Sequence, residues 1–303
     1  MTAVAPRPVS TPPSRGYWHV VWPSLVAIVA AAGVAVLYHV FVLRALGQSV
    51  DTAALRGADV GHPRAVEIMS RTLNGTTMAS LILVCLAAAA IGVLRRRVDL
   101  AVGAALLVVA ANLTTQLLKT RLDRPELDGF PAPNSFPSGH TAAAASVAFA
   151  LILVLPAAVR GMASLIGAGY VTVIAVATVW AEWHRPSDTI AALLIVLAWG
   201  GLIASVLRGR RLRVPGTATR RSRVSTLLFL VTAAITTSAA AIGLIAVAMS
   251  ERVTPDLVSG RFAFLTGAAG ITATVAATFL IWVRLAGGDL SAPSPAESDG
   301  GSQ

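Results

Sequence analysis

The chain predicts an all-α fold, a polytopic bundle of transmembrane helices. Of its 303 residues, 55% are hydrophobic and only 13% charged, and mean hydropathy is +0.74. A soluble protein carries about twice that charged fraction. The apolar residues fall in eight blocks of roughly 20, the helix length that crosses a bilayer. The blocks cover residues 20–43, 77–94, 98–118, 141–159, 162–181, 189–207, 224–249 and 262–284. They predict a six-span core over 20–207 and a basic loop at 208–223. Two additional spans follow within 224–285, and tails at 1–19 and 286–303 flank the whole.

Block one follows a polar start with Pro6, Pro8, Pro12 and Pro13. It is longer than a signal-peptide core and has no small-residue cleavage site after it, so it reads as a retained span. The stretch from Arg44 to Thr76, with Gly57, Gly61 and Pro63, reads as a loop over the outer face. Block two holds the single cysteine, Cys85, an apolar packing residue with no partner for an internal disulfide. Block three runs up to Lys119, and block four opens after Pro137-Ser138-Gly139-His140. Block five ends just before His184, and block six starts beside Asp188. Blocks seven and eight follow the basic loop. After Gly287 the chain is rich in Ser, Pro and Gly and reads as disordered.

Charge sets the expected orientation. In a soluble protein a net charge of +10 would suggest nucleic acid. Here the arginines cluster between spans: Arg95, Arg96 and Arg97, then seven between Arg208 and Arg223. Such clusters mark cytoplasmic loops lying on anionic headgroups. No nucleic-acid partner is implied. Threading eight spans from a cytoplasmic N-terminus puts both tails and both clusters on the cytoplasmic side of a plasma membrane. Lys119 then ends span three outside, and His140 opens span four outside. Two crossings later, His184 and Asp188 return to the same face.

Ionisable groups at span ends are expensive and need a reason. Lys119 is the only lysine in the chain. It reads as a snorkelling anchor or as a point charge for a phosphate oxygen, and Arg124 offers a flat fork beside it. Ser138 suits a helix N-cap, and a helix N-terminus is itself an anion site. There Gly139 lets a phosphate approach the backbone and His140 can pass a proton. Pro186 suits the first turn of span six, where Asp188 is favoured by the helix dipole. Asp188 can also accept from one ring nitrogen of His184 and leave the other free to attack. Glu182 is the nearby competitor for that role. A metal site is the minority reading: Lys119, Arg124 and Arg185 gather positive charge where a cation would sit, and no carboxylate pair is present.

These residues resemble the membrane-embedded branch of the type 2 phosphatidic acid phosphatase and vanadium haloperoxidase superfamily. The family pattern is a Lys followed by Arg-Pro, then Pro-Ser-Gly-His, then an Arg followed by His and, four residues on, Asp. Pro137 to His140 match in full, and His184 with Asp188 match in spacing. Four residues, not six, separate Lys119 from Arg124, and Glu126 stands at the usual arginine. Thr178 stands where an arginine precedes the nucleophilic histidine. Arg124 and Arg185 are the available substitutes; otherwise the enzyme is slow or altered in substrate.

The resemblance implies hydrolysis of a phosphate ester or anhydride without metal or other cofactor. In it His184 attacks phosphorus, Asp188 orients His184, and His140 protonates the leaving oxygen. Lys119, Arg124, Arg185, Ser138 and the Gly139 N–H hold the phosphoryl oxygens. The expected substrate is a lipid phosphate: polyprenyl diphosphate, phosphatidic acid or phosphatidylglycerol phosphate. A lipid transporter using the same charges and a catalytically impaired lipid-binding protein are the alternatives from other classes.

Overall fold

The computed structural model describes residues 18–58, 78–210, 223–253 and 257–287. The N-terminal tail, His62, most of the 208–223 loop and the C-terminal tail lie outside the described residues. Among the described residues every regular element is helical. Each of the eight apolar blocks is a helix: α1 (Trp18–Leu37, continued by a π-helical turn Tyr38–Val42), α3 (Met78–Leu94), α4 (Val98–Arg121), α5 (Gly139–Val154), α6 (Ala157–Trp180), α7 (Pro186–Gly209), α8 (Arg223–Arg252) and α9 (Gly260–Ala286). Six of them are long and apolar enough to cross a membrane, and α3 and α5 are shorter apolar helices. The protein is a multi-pass membrane protein.

One element differs from the sequence expectation. Part of the stretch read as a loop after block one is a helix, α2 (Ala45–Arg56). Its apolar residues recur at helical spacing (Val50, Ala54), and Gln48, Asp51 and Thr52 occupy another face. Only a search for 20-residue blocks hides it.

The bundle is built around α5. Five of its eleven buried residues are alanine (Ala142, Ala144, Ala145, Ala148 and Ala150), so neighbouring backbones approach closely. Polar bonds then cross between helices where water cannot compete. Asn112 of α4 donates to Ser146 of α5 at 3.1 Å, and Trp199 of α7 donates to Thr114 of α4 at 3.0 Å. The fully buried Trp282 of α9 stacks on Phe149 at 4.9 Å and donates to its carbonyl at 3.0 Å. That tie makes α9 part of the core. By contrast α8 shows Leu227, Ile235, Ile242 and Ile245 outward, as a lipid-facing helix does.

The brevity of α5 has a local cause. Pro156 disfavours helix at Leu155, and arginines take over the free carbonyls of the last turn. Arg160 donates to Ile152 O and Leu155 O, each at 3.0 Å, and Arg95 donates to Val154 O. Arg208 donates to Leu285 O at 2.8 Å and caps α9. At the opposite end of the bundle, the C-terminus of α4 meets the N-termini of α5 and α7, with α2 beside them. That rim holds the candidate site.

Candidate active site

The rim is assembled by backbone contacts between segments far apart in sequence. Ser138 N–H donates to the Asp188 carbonyl at 3.0 Å, joining the starts of α5 and α7. Ser138 is fully buried; its hydroxyl accepts from Thr141 N–H and donates to the Thr141 hydroxyl. The serine is thus an N-cap that leaves the first amides of α5 unpaired by the helix. A Cβ on Gly139 would meet only the Gln116 side chain, at 3.7 Å.

His184 is aimed by the end of α6. Glu182 takes a left-handed conformation at φ 59°. Around it Trp183 N–H returns to Thr178 O at 3.0 Å and Glu182 N–H to Val179 O at 2.9 Å. This is the Schellman termination, with glutamate where glycine is usual. His184 N–H also reaches Thr178 O, at 3.2 Å. Thr178, at a position where the family has arginine, therefore works through its carbonyl. Glu182 itself is exposed.

The His184 ring is held on one nitrogen. Nδ1 lies 3.1 Å from Ser135 O and 3.6 Å from Asp188 Oδ2. The first is a hydrogen bond; the second is an electrostatic contact beyond hydrogen-bond reach. With Nδ1 occupied, Nε2 is the nitrogen available for attack. The His140 ring stands 6.2 Å away, edge-on, with Trp183 stacked obliquely at 5.4 Å on it. Besides burial, the charges that act on His140 are those of His184 and Lys119. Asn134 donates to Lys119 O and Leu122 O and so closes the end of α4. Arg121 is exposed at the last residue of that helix.

Asp188 is the hub. It is fully buried. Oδ2 accepts from the Ser135 hydroxyl at 2.5 Å and from Arg185 N–H at 2.9 Å. Oδ1 has no hydrogen-bond partner and faces Arg124 Nη1 at 3.6 Å. The Arg124 side chain is only 3% exposed, and neither Nη has a hydrogen-bond partner. A buried guanidinium with free donors is costly unless something else completes it. Arg185 is also buried, with Nε donating to Thr52 Oγ1 at 3.1 Å. Glu126, at the family's usual arginine position, is exposed.

Several participants escaped the sequence reading. Ser135 contributes its carbonyl to His184 and its hydroxyl to Asp188. Asp51 accepts from Ser187 N–H at 3.1 Å and from the Ser187 hydroxyl at 2.5 Å. Burial pushes the Asp51 carboxyl up to about 7, helped by the Asp188 charge and opposed by Ser187 and Arg124. Ser135 carries no motif signal. Asp51 and Thr52 were discoverable as the polar face of an amphipathic helix. His39 stands apart, exposed beside Arg44. Among the described residues no three His, Cys, Asp or Glu side chains gather as a metal site.

No curated protein and no solved structure matches the chain. Residues 98–212 match the family model of the PAP2 superfamily. That stretch runs from the start of α4 through α7, and so carries Lys119, Arg124, Ser138, His140, His184 and Asp188 on one continuous domain. The two histidines, the cap and the carboxylate that share this rim thus all lie in the stretch that matches the PAP2 superfamily model.

Proposed function

We propose that the protein is a lipid phosphatase that works through a phosphohistidine at the extracytoplasmic membrane face. A membrane phosphatase-type function follows from a PAP2 domain within membrane-spanning helices. The observation that carries the finer reading is the His184 ring. Its Nδ1 is tied back to Ser135 O next to the Asp188 carboxylate, and the second imidazole is 6.2 Å away. This is a nucleophile with an orienting group and a proton carrier beside it.

In this reading the phosphoryl oxygens rest on the α5 amides, Lys119, Arg124 and Arg185. His184 Nε2 attacks phosphorus. The P–N bond forms as the P–O bond to the leaving group breaks, and protonated His140 gives its proton to the departing oxygen. Water then attacks the phosphohistidine. His140 takes a proton from that water, the P–N bond breaks, and inorganic phosphate leaves. The chemistry asks for positioning and charge stabilisation. Asp188 stabilises the positive charge that builds on His184.

A lipid phosphate fits a site at the end of spanning helices. Polyprenyl diphosphate, phosphatidic acid and phosphatidylglycerol phosphate are the candidates. Anionic headgroups are the partner expected for the arginines of the 208–223 stretch. The test is phosphate release by detergent-purified protein with EDTA across that panel, for wild type and His184→Ala. Release by wild type and background release by the variant are expected. Equal release from both removes the reading, and strict dependence on added divalent metal replaces it with a metal mechanism.

A further inference from the structure

We propose that helix α2, outside the stretch matched to the family, is a positioning element of the phosphoryl site, and that α8 and α9 seat it. The inference rests on the phosphatase reading above.

Three polar side chains of α2 at positions i, i+3 and i+4 share one face: Gln48, Asp51 and Thr52. They are 1%, 3% and 6% exposed. A polar face is buried only where hydrogen bonds satisfy it, and here all the partners but Val42 O lie in the segments that carry Arg124, Arg185 and Asp188. Gln48 Nε2 donates to Val42 O at 2.6 Å and Pro125 O at 2.7 Å, and its Oε1 accepts from Leu127 N–H at 3.1 Å. The amide thereby pins the loop immediately after Arg124. The Thr52 hydroxyl accepts from Arg185 Nε at 3.1 Å and donates to Asp128 Oδ2 at 2.5 Å. Holding Nε fixes the plane of the guanidinium. Asp51 holds both the N–H and the hydroxyl of Ser187, between Pro186 and Asp188.

This arrangement answers the displaced arginines. Arg124 lies in a loop and Arg185 at an N-cap, so neither is made rigid by a helix of its own. Asp188 faces both from within the matched stretch, and α2 adds the bond to Arg185 Nε and the two bonds that hold the loop after Arg124. A helix of 12 residues is marginal alone and needs a seat. Its apolar face provides one: Val50 and Ala54 pack with Val247 of α8 and Ala263 of α9 in a cluster separate from the main core. At its end, Gly57 lies so close to α9 that a Cβ would stand 1.8 Å from Gly260 O. Further along α9, a Cβ on Gly267 would stand 2.6 Å from the Pro186 ring. The same helix thus supports α2 and the start of α7.

The test uses the full chain in detergent. Thr52→Val keeps shape and removes the hydroxyl; Thr52→Ser restores it; Gly57→Ala displaces the helix from α9. Readouts are KM and kcat for the lipid phosphates, inhibition by inorganic phosphate, and the rise in melting temperature caused by inorganic phosphate. Loss of a hydrogen bond to a charged group predicts for Thr52→Val about a tenfold weaker phosphate inhibition and a higher KM. Thr52→Ser should stay within about threefold of wild type, the hydroxyl being restored. Gly57→Ala should follow Thr52→Val. The inference is overturned if Thr52→Val, melting like wild type, keeps wild-type KM and phosphate inhibition, or if inorganic phosphate shifts the melting of neither protein. Those outcomes leave the phosphatase reading standing wherever His184→Ala still abolishes release.

Discussion

Consider Asp188→Asn, which keeps the size of the side chain and removes its charge. The amide oxygen will take the Oδ2 position, where the Ser135 hydroxyl and Arg185 N–H both donate. Its NH2 group must then face Arg124 Nη1, a donor against a cation, where the carboxylate stood at 3.6 Å. The fold should survive, because the Ser138 bond goes to the Asp188 backbone carbonyl and is untouched. The rate should not. The positive charge that develops on His184 lies 3.6 Å from Oδ2. At an effective dielectric of 20, a unit charge pair at that distance is worth about 4–5 kcal/mol. Part of that charge is already balanced by Arg124, and the amide keeps a dipole. The expected loss in kcat is therefore between about a hundredfold and about a thousandfold. The assay is lipid phosphate hydrolysis at saturating substrate, with melting temperature as the control. A loss under tenfold with native melting would refute the electrostatic role of Asp188.

Arg124→Met should be the more damaging change to stability, since it strands the fully buried Asp188 carboxylate; breaking a buried pair this way costs about 3–5 kcal/mol. The double variant with Asp188→Asn should recover stability but not activity, and additive losses in thermal unfolding would argue against the pair. Asp51 makes a prediction about pH. Its carboxyl, facing Asp188, Arg124 and Arg185, is raised to about 7, so the folded protein holds a proton that the unfolded chain releases nearer pH 4. Stability is then full below the ordinary carboxylate range and falls as pH rises through about 7. Asp51→Asn should flatten melting temperature against pH across that window, and an unchanged slope would place the titration elsewhere.

How much of this was legible beforehand differs by element. Spans were legible because the bilayer demands long apolar helices and excludes charge, a requirement written residue by residue along the chain. The two histidines, Asp188 and the Pro137–His140 turn were legible because each lies within a few residues of its motif partners. The hydrogen bond from His184 to Ser135 O was not, since a backbone carbonyl has no sequence signature. Nor was the pairing of Arg124 with Asp188, which joins positions 64 residues apart.

The sequence alone determined the solvent of the fold, the order of its helices and the chemical types at the site. Those follow from local periodicity and composition. Only the tertiary structure decided which arginine faces which carboxylate, that α2 hydrogen-bonds to Arg185 and Ser187, and that α9 bears on both α2 and Pro186. These depend on contacts between distant segments, where close packing selects one arrangement among many that the same local pattern allows.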